Sequence, residues 1–169
     1  MRMFSEMLSQ GSRKEIGRAT EVAAIIFESP PLLEALLDCI VEGNETVRSH
    51  GAHALMQVGT KSPEILTPYQ DRILGDLLSL EQWEIQEQLL KILPGLDVPS
   101  GIRNLAVDHC RRQLNHKAAF VRTCALQAMV DFSRNDPALR DEAHLLLKQA
   151  VKTGAKSMQA RARHLLEAF

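Results

Sequence analysis

His50 and His53 stand three residues apart. That spacing sets both imidazoles on one side of a helix, where they could share a metal ion. The sequence offers no obvious third ligand, so the expectation is a pair of solvent-facing or locally hydrogen-bonded histidines. His109-Cys110, with His116 and Cys124, is a second grouping of thiol and imidazole. Cys110 and Cys124 fall on largely apolar helix faces, and cysteine outside a disulfide is among the most buried residue types, so both are expected in the core. No G-x-S-x-G, P-loop or dinucleotide glycine pattern occurs. Adjacent acids such as Asp141-Glu142 stand at the start of a helix, where they answer the helix macrodipole rather than acting as general acid and base. On residue types and spacing the chain has no catalytic residue, cofactor site or metal site to assign.

Binding is better supplied. Asn104, Asp108, Arg111, Arg112 and Asn115 share one polar face of a helix expected over 100–115. Asp141, His144, Lys148 and Lys152 share one over 137–153. Lys117 stands between the two helices. Ordinary solvated helix faces have the same composition. The charge distribution gives the rows more weight. Residues 28–100 hold 12 acids and 4 bases, a net of −8, whereas residues 101–169 hold 6 acids and 12 bases, a net of +6. A basic half suits an anionic partner, and unlike halves suit self-association.

The elements that must position these residues form a repeat. Val47, Ile85, Val121 and Met158 begin four matching segments, spaced 38, 36 and 37 residues apart. Apolar or small residues follow each start at +4 (Gly51, Leu89, Ala125, Ala162), at +7 (Ala54, Ile92, Ala128, Leu165) and at +8 (Leu55, Leu93, Met129, Leu166). This is one face of an amphipathic helix, and its recurrence means units that bury their faces against one another. Ser12 and Glu15 have the spacing of a capping box and predict a helix through about Phe27. A second helix is expected over Leu32–Glu42, and Asn44 is expected to cap a third. Pro63 and Pro137 each lie 16 residues after a repeat start, where each opens a second helix. Those second helices are expected over 63–80, 100–115 and 137–153, with a bend or late start at Pro68. A last, unpaired helix is expected over 156–168.

VRSHGAHAL (47–55) and VRTCALQAM (121–129) resemble the first helix of a HEAT repeat, in which a Val-Arg pair is followed by Ala and Leu at helical spacing. The proline opening the second helix resembles the same family. The resemblance implies an all-α, right-handed α-α superhelix of about four and a half helix pairs, with repeats near 12–43, 44–81, 82–116, 117–155 and a half repeat at 156–169 in a single domain. Two features depart from the family pattern. Asn44 and Ala118 stand where an Asp is common three residues before the Val-Arg pair, and the Arg becomes Gln86 and Gln159 in two repeats. The resemblance also implies that second helices line the concave side, where the two polar rows and Lys117 would make a mainly basic wall.

The expected function is a non-enzymatic protein-binding scaffold or adaptor whose partner is another protein, with an acidic segment as the natural ligand of that wall. The alternative is nucleic-acid binding through phosphates at the basic half, which offers only Phe120, Phe132 and Phe169 as aromatics. A further alternative is a HEAT-like enzyme such as a metal hydroxylase or bilin lyase, for which no His-Glu dipeptide is present. An odd count of three cysteines, an N-terminus without a long apolar core and no apolar run near the roughly 18 residues of a membrane span point to a cytoplasmic protein without membrane contact. Both monomer and homodimer fit the sequence, because the last helix would carry an unpaired apolar stripe unless the preceding repeat covers it.

Overall fold

The structure, a computed structural model, describes residues 2–169. It is all-helical: 80% of the chain is helix, and no strand occurs among the described residues. The helices are α1 (Arg2–Leu8), α2 (Ala19–Glu28), α3 (Leu33–Glu42), α4 (Glu45–Lys61), α5 (Gln70–Arg72), α6 (Trp83–Ile92), α7 (Ser100–Gln113), α8 (Ala119–Asn135), α9 (Arg140–Thr153) and α10 (Lys156–Glu167). The chain divides into two compact units, one ending at Val98 and the other Pro99–Phe169. The division falls inside the third expected repeat, between α6 and α7.

The repeat stripe is the core of both units. Of the sixteen positions read from the sequence, all are buried except Leu166, which is half-buried. In the first unit α4 packs on α2, α3 and α6. Gly59 permits one of these approaches: a Cβ there would lie 2.6 Å from Leu66 Cδ1 and 2.8 Å from Ile92 Cγ2. In the second unit Leu126, Val130, Ala143, Leu147, Ala150, Met158, Ala162 and Leu165 form one cluster, with Leu166 and Phe169 against it. The apolar stripe of α10 is therefore covered by α8 and α9 of its own chain.

The residue after each repeat start explains the Arg-to-Gln departure. Arg48 Nη2 donates to the Val41 carbonyl at 2.9 Å, and Gln86 Nε2 donates to the Leu80 carbonyl. Arg122 Nη1 donates to the carbonyls of His116 at 2.6 Å and Lys117 at 2.9 Å, and Gln159 Nε2 to that of Gly154 at 2.9 Å. Each first helix thus reaches back five to seven residues to a carbonyl that its own ladder leaves unpaired. What the position requires is a long donor, and both Arg and Gln provide one. Asn44 meets the expectation for a cap, its Oδ1 accepting from the amides of Thr46 and Val47 at 3.1 Å each.

The N-terminal segment differs from the sequence reading. The Ser12 amide does donate to Glu15 Oε2 at 3.0 Å, as a capping box would. The turn stops there, because Gly17 has φ +50, and α2 begins only at Ala19. Residues 9–18 instead form a strap over α4. His50 is fully buried, its Nδ1 2.8 Å from the Leu8 carbonyl oxygen and its Nε2 3.0 Å from that of Ser12. A Cβ on Gly17 would come within 2.5 Å of the His50 ring, so only glycine lets the strap close on the imidazole. Ser49 Oγ donates to the Arg13 carbonyl at 3.2 Å, and the Arg13 guanidinium pairs with Glu45 and Glu84. Helix α1, with Phe4, Met7 and Leu8 buried, was not expected.

The second helix of the next repeat is broken as Pro68 foretells. Pro63–Tyr69 is 3-10 helix, α5 lasts three residues, and Ile73–Leu77 is a π-turn. Pro30–Leu32 and Pro137–Leu139 are shorter 3-10 leads into α3 and α9.

Two measurements test this account. Gln159→Leu should cost about 1 kcal/mol in urea unfolding, by leaving the Gly154 carbonyl unmatched, whereas Gln159→Arg should hold near the parent value. An equal loss in both variants would show that shape, not the donor, is required. His109 is 2% exposed, and burial, helped by Arg112, lowers its pKa to about 4. The unfolded chain then binds a proton between about pH 6.5 and 4 that the folded chain does not, so stability falls as pH drops through that window. The loss should reach about 3 kcal/mol by pH 4, and His109→Gln should remove most of that slope in denaturant titrations.

Candidate functional site

His50, His109, Cys39 and Cys110 are committed to packing. His50 is neither solvent-facing nor locally bonded: its ring holds the strap at Leu8 and Ser12, so both nitrogens are occupied and the His50–His53 pair is not a metal site. His53 is half-buried, its pKa lowered by burial and then by Lys91. No group of three or more His, Cys, Asp and Glu converges among the described residues. Cys110 is fully buried, and burial pushes its thiol up to about 12, far from the thiolate a nucleophile needs. Cys39 is buried with a raised pKa of the same cause, and Cys124 is half-buried.

The two polar rows of the second unit are solvent-exposed for most of their length. Asn104, Asp108 and Arg112 are exposed on α7 and Asp141, Lys148 and Lys152 on α9, with Asn115 and Lys117 exposed between α7 and α8. Arg111 behaves differently. Its Nε and Nη2 donate to the two carboxylate oxygens of Glu142 at 2.8 and 2.6 Å, and its Nη1 to Asp108 at 2.6 Å. The fork of the guanidinium suits this bidentate contact, which holds the Glu142 carboxyl below its usual range and ties α7 to α9. Arg111 is thus a structural cation rather than an open one. His144 is half-buried, its ring 5.5 Å from that of Phe169, which also lies under Arg140.

The rows do not meet as a wall. The face of α9 turned to α7 carries Glu142, Leu146, Gln149 and Thr153, one step around the helix from Asp141, His144, Lys148 and Lys152. Where α7 and α9 end, a groove of about 520 Å³ opens between them. Leu114, Leu126, Leu146, Ala150 and Met158 supply its apolar part, and Asn115, Arg122, Gln149 and Thr153 its polar part. Gly154 and Ala155 complete the lining. Of the sequence-predicted residues, Asn115 lies in the groove. Lys117 stands two residues from it, and Lys148 and Lys152 adjoin the lining residues Gln149 and Thr153. Arg112, Lys117, Lys148 and Lys152 make no salt bridge among the described residues. Asn104, Asp108 and Asp141 lie outside the lining.

The groove was missed because its lining comes from the turn after α7 and from α8, α9 and α10 at once, and no single helical stripe contains it. One signal was available. Every lining residue falls in residues 109–130 or 143–166, and neither stretch contains an Asp or Glu.

No helix among the described residues is long and apolar enough to cross a membrane. A search of curated proteins gives no match. A family model described as a HEAT repeat domain matches residues 4–169. That span takes in both units, and the stacked helix pairs, the buried stripe at the repeat period and the prolines that open the second helices agree with it. The chain belongs to the HEAT repeat family.

Proposed function

We propose that this chain is a non-enzymatic adaptor that binds another protein through the α7–α9 side of its second unit. The observation that carries the reading is the groove at the ends of these helices, with Lys117, Lys148 and Lys152 within two residues of its lining and in no salt bridge among the described residues. Arg112, Asn115, Lys117, Lys148 and Lys152 are the contact residues on this reading, with Asn104, Asp108, Asp141 and His144 flanking them and Arg111 holding the two helices in place. A rigid helical repeat with exposed charge rows suits recognition of an extended or helical segment. The groove has no aromatic in its lining. Phe132 is buried, and Phe169 is packed by Arg140 and His144, which leaves the 64% exposed Phe120 as the one open ring of the unit. That supply favours a protein over a nucleic acid, whose bases need stacking surfaces.

The test is affinity purification of the tagged full chain from its native cells, with and without nuclease, beside a Lys117→Glu, Lys148→Glu, Lys152→Glu variant. The expected result is one stoichiometric protein that survives nuclease and binds the variant about tenfold more weakly or worse. Partners lost on nuclease treatment would move the assignment to nucleic acid. A partner held equally by the variant would place binding on another face.

A further inference from the structure

Resting on that reading, we infer that the groove between α7 and α9 is the anchor point of the adaptor, and that its occupant is an acidic polypeptide segment carrying one bulky aliphatic side chain. Two independent features of the lining specify this ligand. The first is apolar surface. Leu114 and Leu146 are half-buried and turn part of their side chains to the groove, over a floor of Leu126, Ala150 and Met158. Water there makes few hydrogen bonds, so an aliphatic group that displaces it gains the transfer free energy of its buried area. The volume of about 520 Å³ admits a large side chain together with the backbone that carries it.

The second feature is charge. The two acid-free stretches that supply the whole lining contain Arg111, Arg112, Lys117 and Arg122 in one, and Lys148, Lys152, Lys156, Arg161 and Arg163 in the other. Lys117, Lys152 and Lys156 lie within two residues of lining positions, and all three are exposed. The carboxylates of the unit stand elsewhere in the sequence: Asp108, Asp131, Asp136, Asp141, Glu142 and Glu167 all fall outside these stretches. A slot of mixed lining with an apolar floor, flanked in sequence by cations, suits a ligand of opposite sign around an apolar centre. Asn115, Gln149 and Thr153 add side chains able to pair with the backbone of a bound segment. A nucleic acid would match the rim and leave the apolar floor unfilled, and a basic or neutral segment would fill the floor against the rim.

The probe is a set of fluorescein-labelled 16-residue peptides, titrated against the full chain by anisotropy at two salt concentrations. One peptide is Glu-rich with a central Leu. The second has Ala for that Leu, and the third has Lys for every Glu. A single-stranded oligonucleotide of matched charge completes the set. The expected result is saturable binding of the first, weakened about tenfold or more by Leu→Ala, and none of the third. Gln149→Trp fills the groove from an exposed lining position and should cost about tenfold for the first peptide. The thermal unfolding midpoint of that variant checks that the fold is intact. Thr153→Glu, which puts a carboxylate at the rim, should weaken the same peptide without filling the floor. Binding indifferent to Leu→Ala and to Gln149→Trp would overturn the groove and leave an adaptor that works through surface charge alone. An oligonucleotide bound as tightly as the acidic peptide, and weakened equally by Gln149→Trp, would overturn the polypeptide ligand. Absence of binding by every acidic peptide would overturn the inference while leaving the adaptor reading to the cellular purification.

Discussion

The constraint on which each unit depends is the satisfaction of carbonyls at the turns between helix pairs. A helix leaves its last carbonyls without intrahelical partners, and a repeat protein makes such an end in every unit. Here Arg48, Gln86, Arg122 and Gln159, each one residue after a repeat start, donate to a carbonyl five to seven residues upstream. The donor sits beside a buried residue of its helix, so the turn is tied directly to the core. Such a bond is worth about 1 kcal/mol when made and more when a buried carbonyl is stranded. The same bonds shape the groove. Arg122 and Gly154 are both in the groove lining, so the tie that satisfies each turn also sets a wall of the groove.

A second system of arginines works between second helices. Arg72 pairs with Glu34 at 2.6 Å and Asp38 at 2.9 Å on α3, and with Asp76 at 3.2 Å on its own segment. Arg111 does the same in the other unit, with Glu142 on α9 and Asp108 on its own helix. Each guanidinium spans two carboxylates or more, a task its planar fork performs and a lysine does not. These contacts are partly exposed, so they steer packing more than they add stability. Their consequence for recognition is a division of labour. Arg72 and Arg111 are taken by the chain itself, and on the proposed reading Arg112 and the flexible lysines are left to meet a partner.

Periodicity made the core legible. The stripe at 0, +4, +7 and +8 needs only the 3.6-residue turn to be read, and its positions are buried as that geometry requires. The N-terminus was misread because Ser12 and Glu15 do form their hydrogen bond; the competing fact is Gly17, whose positive φ ends the turn before a helix can grow. His50 was misread because its partners lie 42 and 38 residues away, beyond any local pattern. The polar rows were chosen one step around α9 from the face that meets α7. Sequence identifies the polar arc of a helix, but its phase against a neighbour is set by packing, here by Leu147 and Ala150 in the core and Glu142 on Arg111.

The fate of the reactive side chains bears on why binding is the better reading. His50 holds backbone, His109 is kept neutral by burial, and Cys110 is kept protonated by the same cause. A group with catalytic chemistry needs exposure to a substrate and a pKa near the working pH. None of the three is exposed to a substrate, because the repeat places them on faces that stack against neighbours, and burial moves the pKa of His109 and of Cys110 away from that range. The groups left in contact with solvent around the groove are amides, a hydroxyl, lysines and the edges of leucines. They can pair with a backbone, attract carboxylates and shelter an aliphatic side chain. A fold that spends His50, His109 and Cys110 on packing, and leaves donors and apolar surface open in one groove, suits the proposed role in recognition.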